Sequence, residues 1–306
     1  MNKILNFGSI NIDKVYSVPH FVRPGETLSA TAVKAFPGGK GLNQSLALKL
    51  AGGKVYHAGK IGPDGAWLAE LLFKQGVDTS FIDRSGEATG TAVIQVDKSG
   101  QNCILLYGGA NYEITDEWID KTLENFGTGD LLVLQNEICG LPHIISRAAE
   151  RGITIALNPS PIDDKLIHAG LDKITYFLLN EIEGEALSGK TDPVEICDVL
   201  LSRYPKAKIV LTLGRRGVYY RDAQTAASHG IYSVPVVDTT AAGDTFTGFF
   251  LSSVSNGCEI NEALRLASVA SSLAVSRNGA ASSVPTLEEV RGARLGYISE
   301  GVVPCK

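Results

Sequence analysis

From residue 130 to residue 213 the chain alternates strand-like and helix-like segments, and this rhythm constrains the fold more than any other feature. Asp130–Gln135 reads as a strand and leads to a helix opened by Pro142. Ile153–Leu157 then runs into Asn158-Pro159, and Thr175–Leu179 precedes a helix near Glu181–Leu187. A further helix over Pro193–Tyr204 leads to the strand Lys208–Leu213. Strands separated by helices form βαβ units, which pair in parallel and carry helices on both faces of the sheet. Lys3–Ser9 and Val55–Ile61 extend the strand set, and helices over Leu42–Ala51 and Gly65–Gln75 extend the covering layers.

Two pairs of segments break the rhythm. Ile10–Val18 and Leu28–Phe36 flank the turn Arg23-Pro24-Gly25-Glu26, and Gly90–Asp97 and Asn102–Tyr107 flank Lys98-Ser99-Gly100-Gln101. Their alternation suits strands, but polar residues stand where a core strand is apolar, so they predict a small sheet laid over something else. The expected organisation is one α/β domain over 1–306 with lid inserts at about 10–37 and 89–109. A length of 306 residues, 44% hydrophobic and 20% charged, is ample for one such core. The net charge of −5 gives no electrostatic case for nucleic acid or an anionic membrane. No apolar run approaches a membrane span, and Met1 to Asn6 enters a strand without a signal peptide. Five scattered cysteines (103, 139, 197, 258 and 305) lack CxxC spacing, so a reducing cytoplasm is expected instead of a disulfide framework or zinc site.

Val237 to Phe246 holds the sharpest chemical signal. A β-branched run, Tyr232 to Val237, is expected to deliver a small-residue turn, and a helical pattern leaves after Asp244. Ala241, Ala242 and Gly243 would let a ligand lie on backbone N–H groups at a helix start, where the dipole favours an anion. Asp244 places a carboxylate at the same spot, able to accept a proton. An ordinary capped turn would explain these residues equally well in isolation.

Other stretches supply partners. Gly38-Gly39-Lys40-Gly41-Leu42-Asn43 opens a helix with glycines, and Lys40 and Asn43 on its first turn suit hydroxyls or phosphate. Leu211 to Gly217 runs a strand into a turn with Arg215 and Arg216, at the carboxyl end where open α/β sheets bind ligands. Asn180-Glu181-Ile182-Glu183 offers an amide and carboxylates to a magnesium–phosphate shell. Asn11 and Asp13 alternate onto one face, as vicinal hydroxyls would need. Gly184 to Thr191 matches a phosphate-binding P-loop letter for letter, which admits a P-loop ATPase using Lys190. Its neighbours Glu181, Glu183 and Glu185 and the bulky Leu187 argue for a chance match instead.

Together these pieces resemble the ribokinase family, the PfkB-type carbohydrate kinases, over essentially the whole chain. The amino-terminal signature is carried by Gly39, Gly41, Asn43, Ser45, Gly52 and Gly62, and the carboxyl-terminal one by Asp238 to Gly248. Asn180 and Glu183 give the family's Asn-x-x-Glu between them. Phe7 to Asp13, Pro24 to Thr27, Ala156 to Pro159, and Ala274 to Ala280 with Ser283-Val284-Pro285 are most similar to the ribose-phosphorylating branch. Phe249 departs from the family's usual Ala or Gly, and Ser268 stands where a larger polar residue is frequent.

The resemblance implies a ribokinase-like fold, a mostly parallel sheet between helices with a small β-sheet lid, and ATP-dependent transfer of the γ-phosphate to the primary hydroxyl of a pentose, ribose first. Another pentose, a hexose or a nucleoside is the alternative acceptor, left open by Leu42 and Asn136. It implies Asp244 as the base and the amides of 241–244 as an anion hole. The sugar would be held by Asn11, Asp13, Gly39, Lys40, Asn43 and Glu137. The nucleotide would be held by Asn180, Thr212, Gly214, Arg215, Arg216, Gly217, Gly243 and Ser268. Magnesium would have Glu183 in its shell. Potassium would be held by Asp238, Thr240, Ala274, Arg277, Gly279 and Ser283, mostly through backbone carbonyls. A lid with free strand edges predicts a homodimer.

Overall fold

The computed structural model describes residues 2–305. Its strands, in chain order, are β1 (Lys3–Phe7), β2 (Asn11–Ser17), β3 (Ala32–Gly38), β4 (Lys54–Lys60), β5 (Asp78–Asp83), β6 (Gly90–Val96), β7 (Asn102–Tyr107) and β8 (Leu131–Gln135). There follow β9 (Thr154–Asn158), β10 (Tyr176–Asn180), β11 (Lys208–Thr212), β12 (Val218–Arg221), β13 (Ala226–His229), β14 (Ile231–Tyr232) and β15 (Tyr297–Ile298). The helices are α1 (Lys40–Leu50), α2 (Ala66–Lys74), α3 (Asp116–Leu123), α4 (Leu141–Glu150), α5 (Glu181–Ser188), α6 (Pro193–Arg203), α7 (Ala242–Ser255), α8 (Ile260–Val275) and α9 (Leu287–Gly292).

Nine strands form the central sheet in the order β13-β12-β11-β10-β9-β8-β1-β4-β5. It is parallel from β5 to β11, and β12 and β13 continue it antiparallel. Alternation along each strand feeds two cores. Ile4, Val133, Leu178 and Val210 face α1, α2, α7, α8 and α9, whereas Leu5, Leu132, Phe177 and Ile209 face α3, α4, α5 and α6. Phe249 is fully buried in the first core, so the departure from a small residue there serves packing.

The two polar inserts join into one four-stranded sheet, β3-β2-β6-β7. Each insert is antiparallel within itself, and they meet through a parallel β2–β6 pairing from Asn11↔Gly90 to Ser17↔Val96.

One expectation changes. Of the run from Tyr232 to Val237, only Tyr232 belongs to a strand, the two-residue β14 against β15, and the Ser233 amide adds one bond to Gly296 O. Pro235 has no N–H to give to a ladder, and Val236 and Val237 are exposed. The chain therefore enters the turn at 238–241 as a loop, tied down where the Val237 and Asp238 amides donate to Val275 O.

Candidate active site

Strand order reverses at β1, whose neighbours β4 and β8 lead the chain in opposite directions, and such a switch point opens a crevice at the carboxyl ends of the strands. Ser9, Gln135, Asn158, Asn180 and Thr212 all stand at or just beyond those ends. Helix α1 begins in the crevice because Gly41 lets it touch the backbone after β1; a Cβ there would lie 2.3 Å from Ser9 N. Gly248 does the same for the α1–α7 contact, where a Cβ would meet Ala47 Cβ at 2.3 Å. These two glycines bring the first turns of α1 and α7 together.

Asp244 is buried on the first turn of α7. Its Oδ2 accepts from Asn43 Nδ2 at 3.2 Å and its Oδ1 from Gln44 Nε2 at 2.9 Å. Asn43 thus sits against the carboxylate, and Gln44, which sequence reasoning passed over, binds it from beneath. Of the amides expected to form an anion hole, that of Ala242 is spent on Thr239 O. Those of Gly243 and Asp244, second and third in the helix, have no acceptor within it. A Cβ at Gly243 would meet nothing within 4 Å, so open space lies beside these donors.

On the side toward the lid, Glu137 Oε2 accepts from Ser9 Oγ at 2.5 Å and from the Lys40 amide at 2.9 Å. Burial raises the Glu137 carboxyl above its ordinary range, against these hydrogen bonds. Asp13, which lies where a Cβ on Gly38 would collide with its carboxyl group, is raised to about 6 by burial and by Glu137. The Lys40 ammonium is held above its ordinary value by Asp244, with Glu137 and Glu183 adding to this and burial opposing it. Asn11 Oδ1 accepts from Asn111 Nδ2 at 2.7 Å, and Gly39 adopts φ 88° at the turn into α1. The predicted sugar-side residues thus converge around Lys40.

Two cavities adjoin, sharing Asn180, Thr212, Gly243 and Phe246. One reaches Lys40, Glu183 and Asp244; the other reaches Gly214, Ile231, Ser268 and Ser272. Both oxygens of Glu183 are held by Asn180, Oε2 by its amide and Oε1 by its Nδ2, each at 2.9 Å, in a capping box at the start of α5. Arg216 pairs with Glu181 at 2.5 Å, Arg215 is exposed, and Gly217 takes φ 83° where a Cβ would meet His229 O at 2.0 Å. Ser271 joins Phe246 and Ser272 in lining the second cavity, and neither serine belongs to a motif that would mark it in the sequence.

The residues expected around potassium gather beside the same turn. Asp238 Oδ1 accepts from the amide and hydroxyl of Thr240, and Oδ2 from the Gly279 amide at 3.0 Å. Burial opposes ionisation there, but these donors hold the carboxyl below its usual range. Ala274 and Ser283 are buried, while the guanidinium of Arg277 is drawn to Glu289 at 2.6 Å, which leaves only its backbone for a cation. The P-loop reading fails on geometry. Gly184 lies inside α5, Gly189 ends that helix at φ 74°, and Lys190 pairs with Glu195 at 3.7 Å. No helix of the described residues is long and apolar enough to cross a membrane.

The model of the pfkB family of carbohydrate kinases matches residues 1–287. The ribokinase of Staphylococcus aureus (strain COL) is 37% identical over 302 residues, covering 94% of this chain and 98% of its own. The crystal structure of the ribokinase of Cryptococcus neoformans var. grubii serotype A in complex with ADP superposes with a TM-score of 0.85 at 31% identity, covering 95% of this chain and 99% of that one. The Arabidopsis thaliana ribokinase complexed with ribose and ATP gives 0.83 at 28%, covering 95% and 97%. The chain belongs to the pfkB family of carbohydrate kinases.

Proposed function

We propose that this family member transfers the γ-phosphoryl group of ATP to the primary hydroxyl of ribose, with Asp244 as the base. The observation that carries the reading is a buried carboxylate beside two unpaired helix-start amides, in a cavity open both to Lys40 and to the Thr212 side. Phosphoryl transfer needs positioning and charge neutralisation more than a strong base. The hydroxyl proton passes to Asp244, and the Gly243 and Asp244 amides, with Lys40, receive the transferring group's charge. Asn11, Asp13, Gly39, Lys40, Asn43 and Glu137 hold the sugar. Asn180, Thr212, Gly214, Gly243 and Ser268 line the nucleotide side, and the turn of Arg215, Arg216 and Gly217 continues from Gly214 at its edge.

The choice of ribose is supported by the relatives' names and by the complex of one of them with ribose and ATP. Magnesium would offset phosphate charge, and the oxygen donors of Glu183, already oriented by Asn180, fit its water shell. Potassium would stabilise the turn that opens α7. The oxygen-rich meeting of Asp238 and Thr240 with Ala274, Arg277, Gly279 and Ser283 fits a hard cation held through carbonyls and a carboxylate. The lid supports a homodimer, since its edge strand β7 exposes Ile104, Leu105, Leu106 and Tyr107 in succession. Free cysteines at 103, 139, 197, 258 and 305 support a reducing cytoplasm.

A coupled ADP-release assay over pentoses, hexoses and nucleosides tests the acceptor. Ribose is expected to turn over fastest; weak turnover with ribose beside strong turnover with another acceptor would replace it. Equal rates in sodium and potassium would remove the potassium assignment.

A further inference from the structure

We infer that Gln44 is a positioning residue that fixes the Asp244 carboxylate for proton transfer and is itself locked by a chain of buried amides reaching to Asn6. The inference rests on the reading of Asp244 as the base.

Gln44 is 0% exposed, so it can enter the chemistry only through what it touches. It touches Asp244, donating from Nε2 to Oδ1 at 2.9 Å. Its own Oε1 accepts from Gln135 Nε2 at 2.7 Å, and Gln135 Nε2 also donates to Asn6 Oδ1 at 2.9 Å. Asn6 in turn donates from Nδ2 to Gly41 O at 2.6 Å and Ser45 Oγ at 2.8 Å. Gln44 and Asn6 each accept on the carbonyl and donate from the NH2; Gln135 stands between them and donates from Nε2 to both, while its Oε1 has no partner among the described residues. Turning the Gln44 amide over would set its oxygen against the carboxylate and its NH2 against that of Gln135, which costs both bonds at once. The chain ends on His57, whose Nδ1 lies 2.7 Å from Ser45 Oγ; burial pushes that imidazole down to about 3, so it ends in a neutral group.

The consequence is a division between the two oxygens of Asp244. Oδ1 is tied to the interior by the shorter bond, and Oδ2 carries the longer 3.2 Å contact with Asn43. Oδ2 is therefore the oxygen left to take the proton. An aspartate at a helix start could otherwise rotate about its side-chain torsions. Asn6 and Gln135 occupy buried strand positions that apolar residues would fill at lower cost, and the bonds they make to Gln44, Gly41 and Ser45 offset that cost, although Gln135 Oε1 is left without a partner among the described residues.

Gln44→Met keeps the volume and removes the donor. The expected result is a fall in kcat of about 10- to 100-fold, the scale of a misplaced reacting group, with KM for ribose and ATP unchanged. Gln135→Met frees the Gln44 amide without touching the carboxylate and is expected to lower kcat less. The double variant should be no worse than Gln44→Met alone, as expected of residues acting through one chain. Ser252→Ala, which removes a 3.3 Å bond from α7 to Ala51 O, serves as the packing control and should lower the melting temperature without changing kcat. A folded Gln44→Met enzyme with wild-type kcat overturns the inference. So does one whose kcat and KM change together as a destabilised site would. If Gln44→Met does not fold, Gln135→Met decides, and an unchanged kcat there overturns it. Asp244→Asn is run alongside; substantial activity in that variant would defeat the reading of the base itself, a separate failure.

Discussion

Ser9 Oγ donates to Glu137 Oε2 at 2.5 Å, joining the ends of two adjacent strands at the place where strand order turns round. With the Lys40 amide on the same atom, Oε2 carries two donors, so the sugar contact proposed for Glu137 would fall to Oε1. Ser9→Ala should therefore loosen Glu137 and raise KM for ribose while leaving KM for ATP unchanged, as steady-state kinetics with each substrate varied would reveal.

Asp13 supplies a pH test. Its carboxyl rises from an ordinary 3.8 to about 6 in the folded protein. Between these values the native state holds a proton that the unfolded chain has released, so this group lowers stability as pH rises through the window, fully above about 6. Asp13→Asn should then stabilise the protein by up to about 3 kcal/mol at pH 7, and by less at pH 5, in urea titrations at both values. Ribose binding should weaken in the same variant. In the wild type, KM for ribose should rise as pH falls through about 6, because only the ionised carboxylate accepts from two hydroxyls.

Asp244→Asn should lower kcat by about 10²- to 10⁴-fold, the usual contribution of a general base, while ATP still binds by calorimetry. Lys190→Ala should leave both quantities alone, since its ammonium meets only Glu195 at 3.7 Å on the surface.

Two glycines of one segment should behave oppositely on replacement by alanine. Gly248→Ala forces a methyl onto α1 and should destabilise by about 1–3 kcal/mol. Gly243→Ala faces open space, so its melting temperature should hold while KM for ATP rises as the methyl occupies the ligand's approach.

Leu105 is 71% exposed at the middle of the lid's edge strand. The proposed dimer predicts that the wild type runs as a dimer in light scattering and Leu105→Lys as a monomer, because charge on an edge strand opposes pairing. A wild-type protein that is already monomeric would remove the dimer.

The parallel sheet was readable because α4 separates β8 from β9 and α5 and α6 separate β10 from β11, and the lid because its strands carry polar residues where a core strand is apolar. Asp78–Asp83 was not, since DTSFID carries too few apolar residues to stand out. The β12–β13 hairpin was missed because it departs from the βαβ rhythm through the short turn at Asp222. In the site, Lys40, Asn43 and Asp244 were visible because they follow glycines into helix starts, which have recognisable chemistry. Gln44 and Gln135 were not: a single amide in the second turn of a helix, or ending an apolar strand, has no local pattern, and its meaning lies in contacts across 91 residues.

The parallel seam between β2 and β6 sets an order of assembly. Asn11 can meet Gly90 only after the chain between them, with α1, β4, α2 and β5, has folded back on itself. Such distant pairings are slow to close. On refolding, amides along this seam should gain protection from hydrogen exchange after those of β8 to β11. A chain caught at that stage would already have its central parallel strands, yet would lack the surface on which Asn11 and Asp13 are presented.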